Sequence, residues 1–362
     1  MSSTGRRGFI HPRHLPKAQS IKGGTDMGIK TCVSLYSLQY EFMHKRMSLE
    51  DIFRFLADDG VQGIEILPDQ SMHRTPHPSQ ETLREWDRLV EKYGITPACA
   101  DVFLNTNLYE NRRLTQRECV ELLIAEIKLA NRLGFKLIRL VSMVPGFVIE
   151  PLIPYCEQYD VAIALEIHAG MSFDTPATQD FIEEMRRVGS PYCGLVVDCG
   201  IFFRKLPRVM GDYCVALGGN LELVKYVENL FDKGWDGWNI YTPGTHEYKP
   251  EFKALIKNGT DHMFAALCNG YENKPVTIMD EYWKYIKHFH FKIFEMVDGE
   301  EYSCNTREIL QYLHDKGYDG YISTEYEGNR WTLPGKPTVE KEQVLLHQAM
   351  LRRYIAEIEG VG

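Results

Sequence analysis

The sequence predicts a closed (β/α)8 TIM barrel with a long insertion between its sixth and seventh strands. Three observations predict it. Eight short apolar, strand-like runs alternate with amphipathic helical stretches from Lys30 to near the C-terminus. Helices end at Gly60, Gly94, Gly134, Gly189 and Gly317, each followed by a new apolar run, which is the sequence sign of parallel βα units. No Gly-x-Gly-x-x-Gly follows the first strand, as an open dinucleotide-binding sheet would require. Eight such units close on themselves as a barrel.

The elements follow in order. IKTCVSLYS is the first strand, and the helix SLEDIFRFLADDG follows it, with Ser48 as cap and Asp51 placed for a capping box. VQGIEIL precedes SQETLREWDRLVEKYG, and ITPACADVF precedes LTQRECVELLIAEIKLANRLG. FKLIRLVS leads into VIEPLIPYCEQYD, a weaker helix interrupted by proline. VAIALEIH precedes TPATQDFIEEMRRVG, and YCGLVVDCG is the sixth strand. KHFHFKIFEM precedes TREILQYLHDKG, and YDGYISTEY precedes the last helix, TVEKEQVLLHQAMLRRYIAEIEG. Between VVDCG and KHFHFK lie about 85 residues where a normal unit needs about 35. This stretch holds the helix LELVKYVENLFDKG, the aromatic GWDGWNIYTPGTHEY and a further helix in TIMDEYWKYIKH, and builds an extended region over residues 200–286. Insertions at the catalytic end of a barrel build lids, substrate walls or subunit contacts.

A chain of 362 residues with 44% hydrophobic content can bury a full core, here one barrel domain over residues 27–362. A formal charge of -9 argues against nucleic-acid or anionic-membrane partners, and no apolar run reaches spanning length. Nine cysteines without a CxxC pair fit reduced thiols in the cytoplasm. Residues 1–26 are basic and rich in Gly, Pro and Ser, without the apolar segment of a secretory signal. They read as a disordered extension.

Chemistry concentrates at strand ends. In LEIHAG, a strand's period of two points Glu166 and His168 the same way. Asp198 in VVDCG, His290 in HFHFK and Glu325 in STEYEG likewise close largely apolar strands. Singly, each such residue is more often a cap, a loop anchor or half of an ion pair. Jointly, Glu166, Asp198, His290 and Glu325 meet at one barrel mouth. Burying three carboxylates costs several kcal/mol unless a cation offsets them. The set suits a divalent cation of the Mn²⁺, Mg²⁺ or Co²⁺ type, with zinc less favoured because no thiolate takes part.

These motifs resemble the xylose-isomerase-like superfamily of sugar-phosphate isomerases and epimerases, from Met27 onward. The resemblance carries the family's metal ligands onto Glu166, Asp198, His290 and Glu325. DGVQGIEI resembles its second-strand pattern, which implies that Glu65 reaches the substrate mouth. Many members place a His three residues after the metal-binding Asp; here that position is Ile201, which counts against ordinary ketose epimerisation. More narrowly, SLYSLQYEF, LEIHAG, the long insertion and STEYEGNRW resemble the α subunits of bacterial C-glycoside deglycosidases. That resemblance implies a lyase acting on 3-oxo-C-glucosides of flavonoid type, paired with a small β-rich subunit in a hetero-oligomer, and the divalent cation expected in it is Mn²⁺, with Mg²⁺ and Co²⁺ as alternatives.

A carbon–carbon glycosidic bond has no oxygen to protonate, so paired-carboxylate hydrolysis does not apply. A 3-oxo sugar has an acidic C2 proton, and its removal by a general base sets up β-elimination of the aglycone. His168 is either that base or the group that orients Glu166. Lys292 binds a sugar hydroxyl or oxyanion, or else makes an ion pair. The aromatic insertion stacks on a flat aglycone or forms the core of a lid. The rival reading is a ketose 3-epimerase or aldose–ketose isomerase, with Glu166 and Glu325 moving protons on opposite faces of a free or phosphorylated sugar.

Overall fold

The structure, a computed structural model, describes residues 28–360. The N-terminal extension expected over residues 1–26 lies outside the described residues. Eight parallel strands form the barrel: β1 (Lys30–Ser34), β2 (Gly63–Ile66), β3 (Thr96–Val102), β4 (Leu137–Leu140), β5 (Ala162–Ile167), β6 (Cys193–Asp198), β7 (Ile286–Ile293) and β8 (Tyr321–Tyr326). Each pairs with its neighbours in chain order, and β8 closes back on β1 with Thr31 opposite Ile322.

Helices α1 (Leu49–Asp58), α2 (Gln80–Tyr93), α3 (Gln116–Leu133), α4 (Ile149–Tyr159) and α5 (Pro176–Val188) follow the first five strands. Their ends are where the residue types require them. Ser48 and Asp51 form the expected capping box, and Thr115 and Glu118 repeat it at α3. Gly94 and Gly134 end α2 and α3 at φ +65° and +89°, left-handed values that a Cβ would penalise. The inward faces of these helices seal the strands. Trp86 of α2 sets its ring edge-on to Phe53 of α1 at 5.4 Å and donates its indole N–H to the Leu133 carbonyl at 2.9 Å. Burying a side chain such as Phe53 or Leu89 contributes about 1.5–3 kcal/mol each.

The interior of the barrel is built differently. Its floor is a small apolar cluster of Cys99, Leu137, Ala164 and Val196. Two residues further along the same strands, and on the same inward face, come Asp101, Arg139, Glu166 and Asp198, all buried. Charged and hydrogen-bonding side chains thus occupy levels that branched apolar residues fill in most barrels of this kind.

Between β6 and β7 the chain makes its excursion over residues 199–285, containing α6 (Arg208–Ala216), α7 (Leu221–Phe231), α8 (Pro250–Leu255) and α9 (Gly259–Leu267). This region has a core of its own, with Phe203, Met210, Leu223, Phe231, Phe252 and Phe264 buried in it. Of the two readings of the aromatic stretch, aglycone stacking or a core of the insertion, the packing matches the second. Trp235 stacks on Phe252 at 5.6 Å, and Tyr241 stacks on Tyr248 at 5.2 Å. The helix expected in TIMDEYWKYIKH is absent; two short 3-10 turns, Val276–Met279 and Trp283–Tyr285, stand in its place. Tertiary packing overrides helical propensity here. Tyr282 stacks on Phe173 at 4.4 Å while Trp283 turns edge-on to Tyr312 at 5.7 Å, and the chain enters β7 at Ile286. After β7, α10 (Thr306–Asp315) and α11 (Glu340–Glu359) complete the ring.

All nine cysteines are free. Among the described residues no helix is long and apolar enough to cross a membrane.

One buried group in α11 sets an acid limit on stability. His347 is wholly buried, its Nδ1 is 2.8 Å from Thr324 Oγ1, and burial pushes its pKa down to about 3. Between pH 6.5 and 3 the unfolded chain binds a proton at this site that the folded chain does not. Stability from His347 is therefore complete above its unfolded pKa and falls as the pH drops, by about 1.4 kcal/mol per pH unit. Urea unfolding of the wild type should lose about 2 kcal/mol more between pH 7 and pH 5 than the same measurement on His347→Gln. Equal losses in the two proteins would refute the assignment.

Candidate functional site

The C-terminal ends of β5 to β8 bring Glu166, Asp198, His290 and Glu325 together, the four residues singled out in the sequence. One ligand-type atom from each lies within 4.8 Å of all the others, and all four residues are buried. Strand register produces this meeting: Asp198 pairs with His290 across β6 and β7, and Glu325 pairs with Lys292 across β8 and β7. At Asp198 the chain leaves the barrel through a tight turn. Gly200 donates its N–H to Asp198 Oδ1 at 2.6 Å, and a Cβ on Gly200 would meet that oxygen at 2.9 Å. The carboxylate is fixed by backbone, which leaves its other oxygen for the site.

Two buried side chains that the sequence reading passed over complete the cluster. Arg139, in the middle of β4, donates from Nε to Asp101 Oδ1 at 2.6 Å and from Nη1 to Glu166 Oε1 at 2.6 Å. Its Nη1 also lies 3.1 Å from His290 Nδ1 and 3.7 Å from Glu325 Oε1. Burial is the largest influence on Glu166 and would raise it, but the positive charge of Arg139 together with the neighbouring histidines holds the carboxyl below its usual range. For Asp198 burial prevails over Lys292, and with Glu325 and Glu166 adding repulsion its pKa is raised. Burial and Arg139 both disfavour a charged His290, yet Glu65 and Glu325 hold its pKa well above the ordinary value. The pocket thus welcomes positive charge at that ring.

Lys292 sits inside this network. Its Nζ is 2.8 Å from Asp198 Oδ2 and 3.5 Å from both Glu325 Oε2 and Glu327 Oε1. Arg330 pairs with Glu327 at 2.7 Å and reaches the Tyr36 hydroxyl at 2.9 Å.

Do these residues fit a divalent metal? Six buried carboxylates (Glu65, Asp101, Glu166, Asp198, Glu325, Glu327) face only three permanent cations (Arg139, Lys292, Arg330). The buried atoms Asp198 Oδ2 and Glu325 Oε2 have no aligned hydrogen-bond partner; their contacts with Lys292 are charge contacts only. Surplus negative charge, unpartnered oxygens and a mixed carboxylate–imidazole donor set fit a hard or borderline divalent cation.

Above the cluster opens a cavity of about 380 Å³. Its lining combines the polar Glu166, His168, Lys292, Glu325 and Glu327 with the aromatic Tyr36, Phe103, Tyr271, Phe294 and Trp331. The excursion contributes Leu267, Gly270 and Tyr271. A larger depression of about 500 Å³ lies outside the barrel, against α1 and α2, and touches none of these residues. His168, just past β5, is half-buried, and its Nδ1 lies 2.6 Å from the Ala169 carbonyl oxygen. A carbonyl only accepts, so Nδ1 carries the proton of the neutral ring and Nε2 is the basic nitrogen.

Glu65 is not where the sequence reading put it. The side chain points inward as expected, but it is wholly buried and absent from the cavity lining. It contacts His288 and His290 from below, one level deeper than the mouth. Strand parity sets the face of a side chain; barrel stagger sets its depth. Ile201 is buried in the apolar core and offers the cavity nothing.

The chain matches the family described as Xylose isomerase-like TIM barrel over residues 53–352. It is 26% identical over 342 residues to the 3'-dehydrocarminate deglycosidase alpha subunit of a Microbacterium species, covering 91% of this chain and 96% of that protein. It is 28% identical over 345 residues to the C-glycoside deglycosidase alpha subunit of Microbacterium trichothecenolyticum, covering 91% and 90%. A solved sugar phosphate isomerase/epimerase from Parabacteroides distasonis superposes with a TM-score of 0.54 at 13% identity, covering 94% of this chain and all of that one. With a matched segment that takes in most of the barrel, the chain belongs to the xylose isomerase-like TIM barrel family.

Proposed function

We propose that this protein is a carbon–carbon lyase that releases the aglycone from 3-oxo-C-glycosides, acting as the α subunit of a complex with a smaller partner. The observation that carries the reading is the mixed lining of the cavity. Its lining joins members of the carboxylate–imidazole cluster and a histidine with a basic nitrogen to five aromatic rings. A sugar ring suits the polar groups and a planar aglycone the rings. Relatives named as deglycosidase alpha subunits, one of them named for a 3'-dehydro substrate, support the same assignment.

Glu166, Asp198, His290 and Glu325 would hold a divalent cation of the Mn²⁺ type. When bound, such a cation supplies Lewis-acid stabilisation for negative charge developing on a carbonyl oxygen. The rest of the chemistry falls to the chain itself. His168 Nε2 takes the proton from C2, and the C–H electron pair moves towards the C3 oxygen. As that charge returns, a C1–C2 double bond forms, the C1–aglycone bond breaks, and the aglycone carbon takes up a proton. Glu166, two residues before His168, lines the same cavity. Tyr271 and the other rings shield the reacting carbons from bulk water.

The epimerase reading needs polar groups on both faces of a free ketose, and buried Ile201 offers none where the resemblance leads one to expect a histidine. Phosphorylated sugars find no spare cation in the cavity, because Lys292 and Arg330 are already paired with carboxylates. Incubating the metal-loaded protein, with and without its copurifying partner, separately with a 3-oxo-C-glucoside and a free ketose tests the choice. Release of free aglycone is expected. Consumption of the ketose alone would replace this reading with the epimerase one.

A further inference from the structure

A single carboxylate holds both inward histidines of β7 from beneath the cluster. Glu65 Oε2 lies 2.9 Å from His288 Nε2 and accepts the Ser323 hydroxyl at 2.9 Å, while Oε1 lies 2.9 Å from His290 Nε2. The contact with His290 is off the line of the ring N–H, so Oε1 and Nε2 lack an aligned hydrogen-bond partner. Two lone pairs would repel at that separation, so Nε2 bears a proton. On the other edge of the ring, Nδ1 lies 3.1 Å from Arg139 Nη1, a group that can only donate. In the neutral ring, therefore, Nδ1 is the acceptor, its lone pair turned towards Arg139, a contact that a bound cation would replace. The same nitrogen is 3.5 Å from Glu325 Oε2 and 3.8 Å from Glu166 Oε1.

We propose that Glu65 is a positioning residue: it fixes His290 as the Nε2–H tautomer and so reserves Nδ1 for a cation shared with Glu166, Asp198 and Glu325. The inference rests on the metal-centre reading given above. A carboxylate is needed because two ring N–H groups face it and it can accept from both. A glutamine accepts from one only, and its NH2 forces the other ring towards the opposite tautomer. Glu65 and His290 also form a second compact cluster with Asp101, so a deeper ion-binding site is the competing assignment.

The test uses the full chain, stripped with chelator. Mn²⁺ is titrated into the wild type and Glu65→Gln by calorimetry, and ring-¹⁵N-histidine protein loaded with diamagnetic Zn²⁺ is read by NMR. His290→Gln assigns the resonance. The wild type should bind one Mn²⁺ per chain and carry the His290 proton on Nε2. Glu65→Gln should bind Mn²⁺ about 10–100-fold more weakly and lose that N–H signal. Unchanged affinity in Glu65→Gln, a proton on Nδ1, or two ions per wild-type chain would each overturn the inference. Should Glu65→Gln fail to fold, the wild-type spectrum and stoichiometry decide alone. If the wild type binds no Mn²⁺, the metal-centre reading itself fails and takes this inference with it.

Discussion

His168→Ala should cut aglycone release by about 10²–10⁴-fold, the usual contribution of a positioned general base. The loss should appear in kcat, because the other cavity-lining groups that would bind the glycoside remain in place. Metal content should not change, since His168 is outside the four-residue cluster. The wild-type ring is prepared for the task by its own backbone: the short contact between Nδ1 and the Ala169 carbonyl leaves Nε2 as the basic nitrogen. An orienting role for His168 makes a different forecast, in which alanine loosens Glu166 and metal affinity falls together with rate. Turnover and bound metal measured on the same preparation separate the two roles, and full turnover in the variant would dismiss His168 altogether.

Asp198→Asn should bind the cation more than about 100-fold more weakly, a larger loss than removal of an outer partner produces. Activity should vanish with it. Stability should not. Burial already raises the Asp198 pKa against the pull of Lys292, so the fold gains little from its charge. An asparagine keeps the acceptor for the Gly200 N–H, and Lys292 retains Glu325 and Glu327. The metal-free variant should therefore melt no lower than the metal-free wild type. This pairing of lost binding with retained stability marks a residue kept for function at a cost to the fold. Undiminished metal in Asp198→Asn would dissolve the proposed centre.

Much of this was legible in the chain because strands impose a period of two. A carboxylate or imidazole closing an apolar run must enter the barrel or leave it, and Glu166, Asp198, His290 and Glu325 enter at matching heights. The same logic applied to LIRL and ACADVF would have exposed Arg139 and Asp101, each the lone charge in a run that otherwise reads as plain apolar strand. Depth was not legible. Glu65 shows the correct face, but the register slips between Ile64 and Glu65 where β2 meets β3, and no local pattern announces such a shift. The excursion was harder still. Its aromatic content says that rings are buried, without saying whether they join the cavity, the barrel or a core of their own.

The outlying core of the excursion has a consequence for where the chain can vary. The middle of the excursion packs on its own second core, joined from the end of β7 by Phe294, while its two ends, through Ile201, Phe202, Met279 and Tyr282, pack into the core of the barrel. Substitutions in the middle of the excursion can therefore be absorbed within the second core while the anchoring ends are kept, and Leu267, Gly270 and Tyr271 carry such changes to the edge of the cavity. Under the proposed function, aglycone preference would change in this appendage while the cluster of Glu166, Asp198, His290 and Glu325 stays as it is.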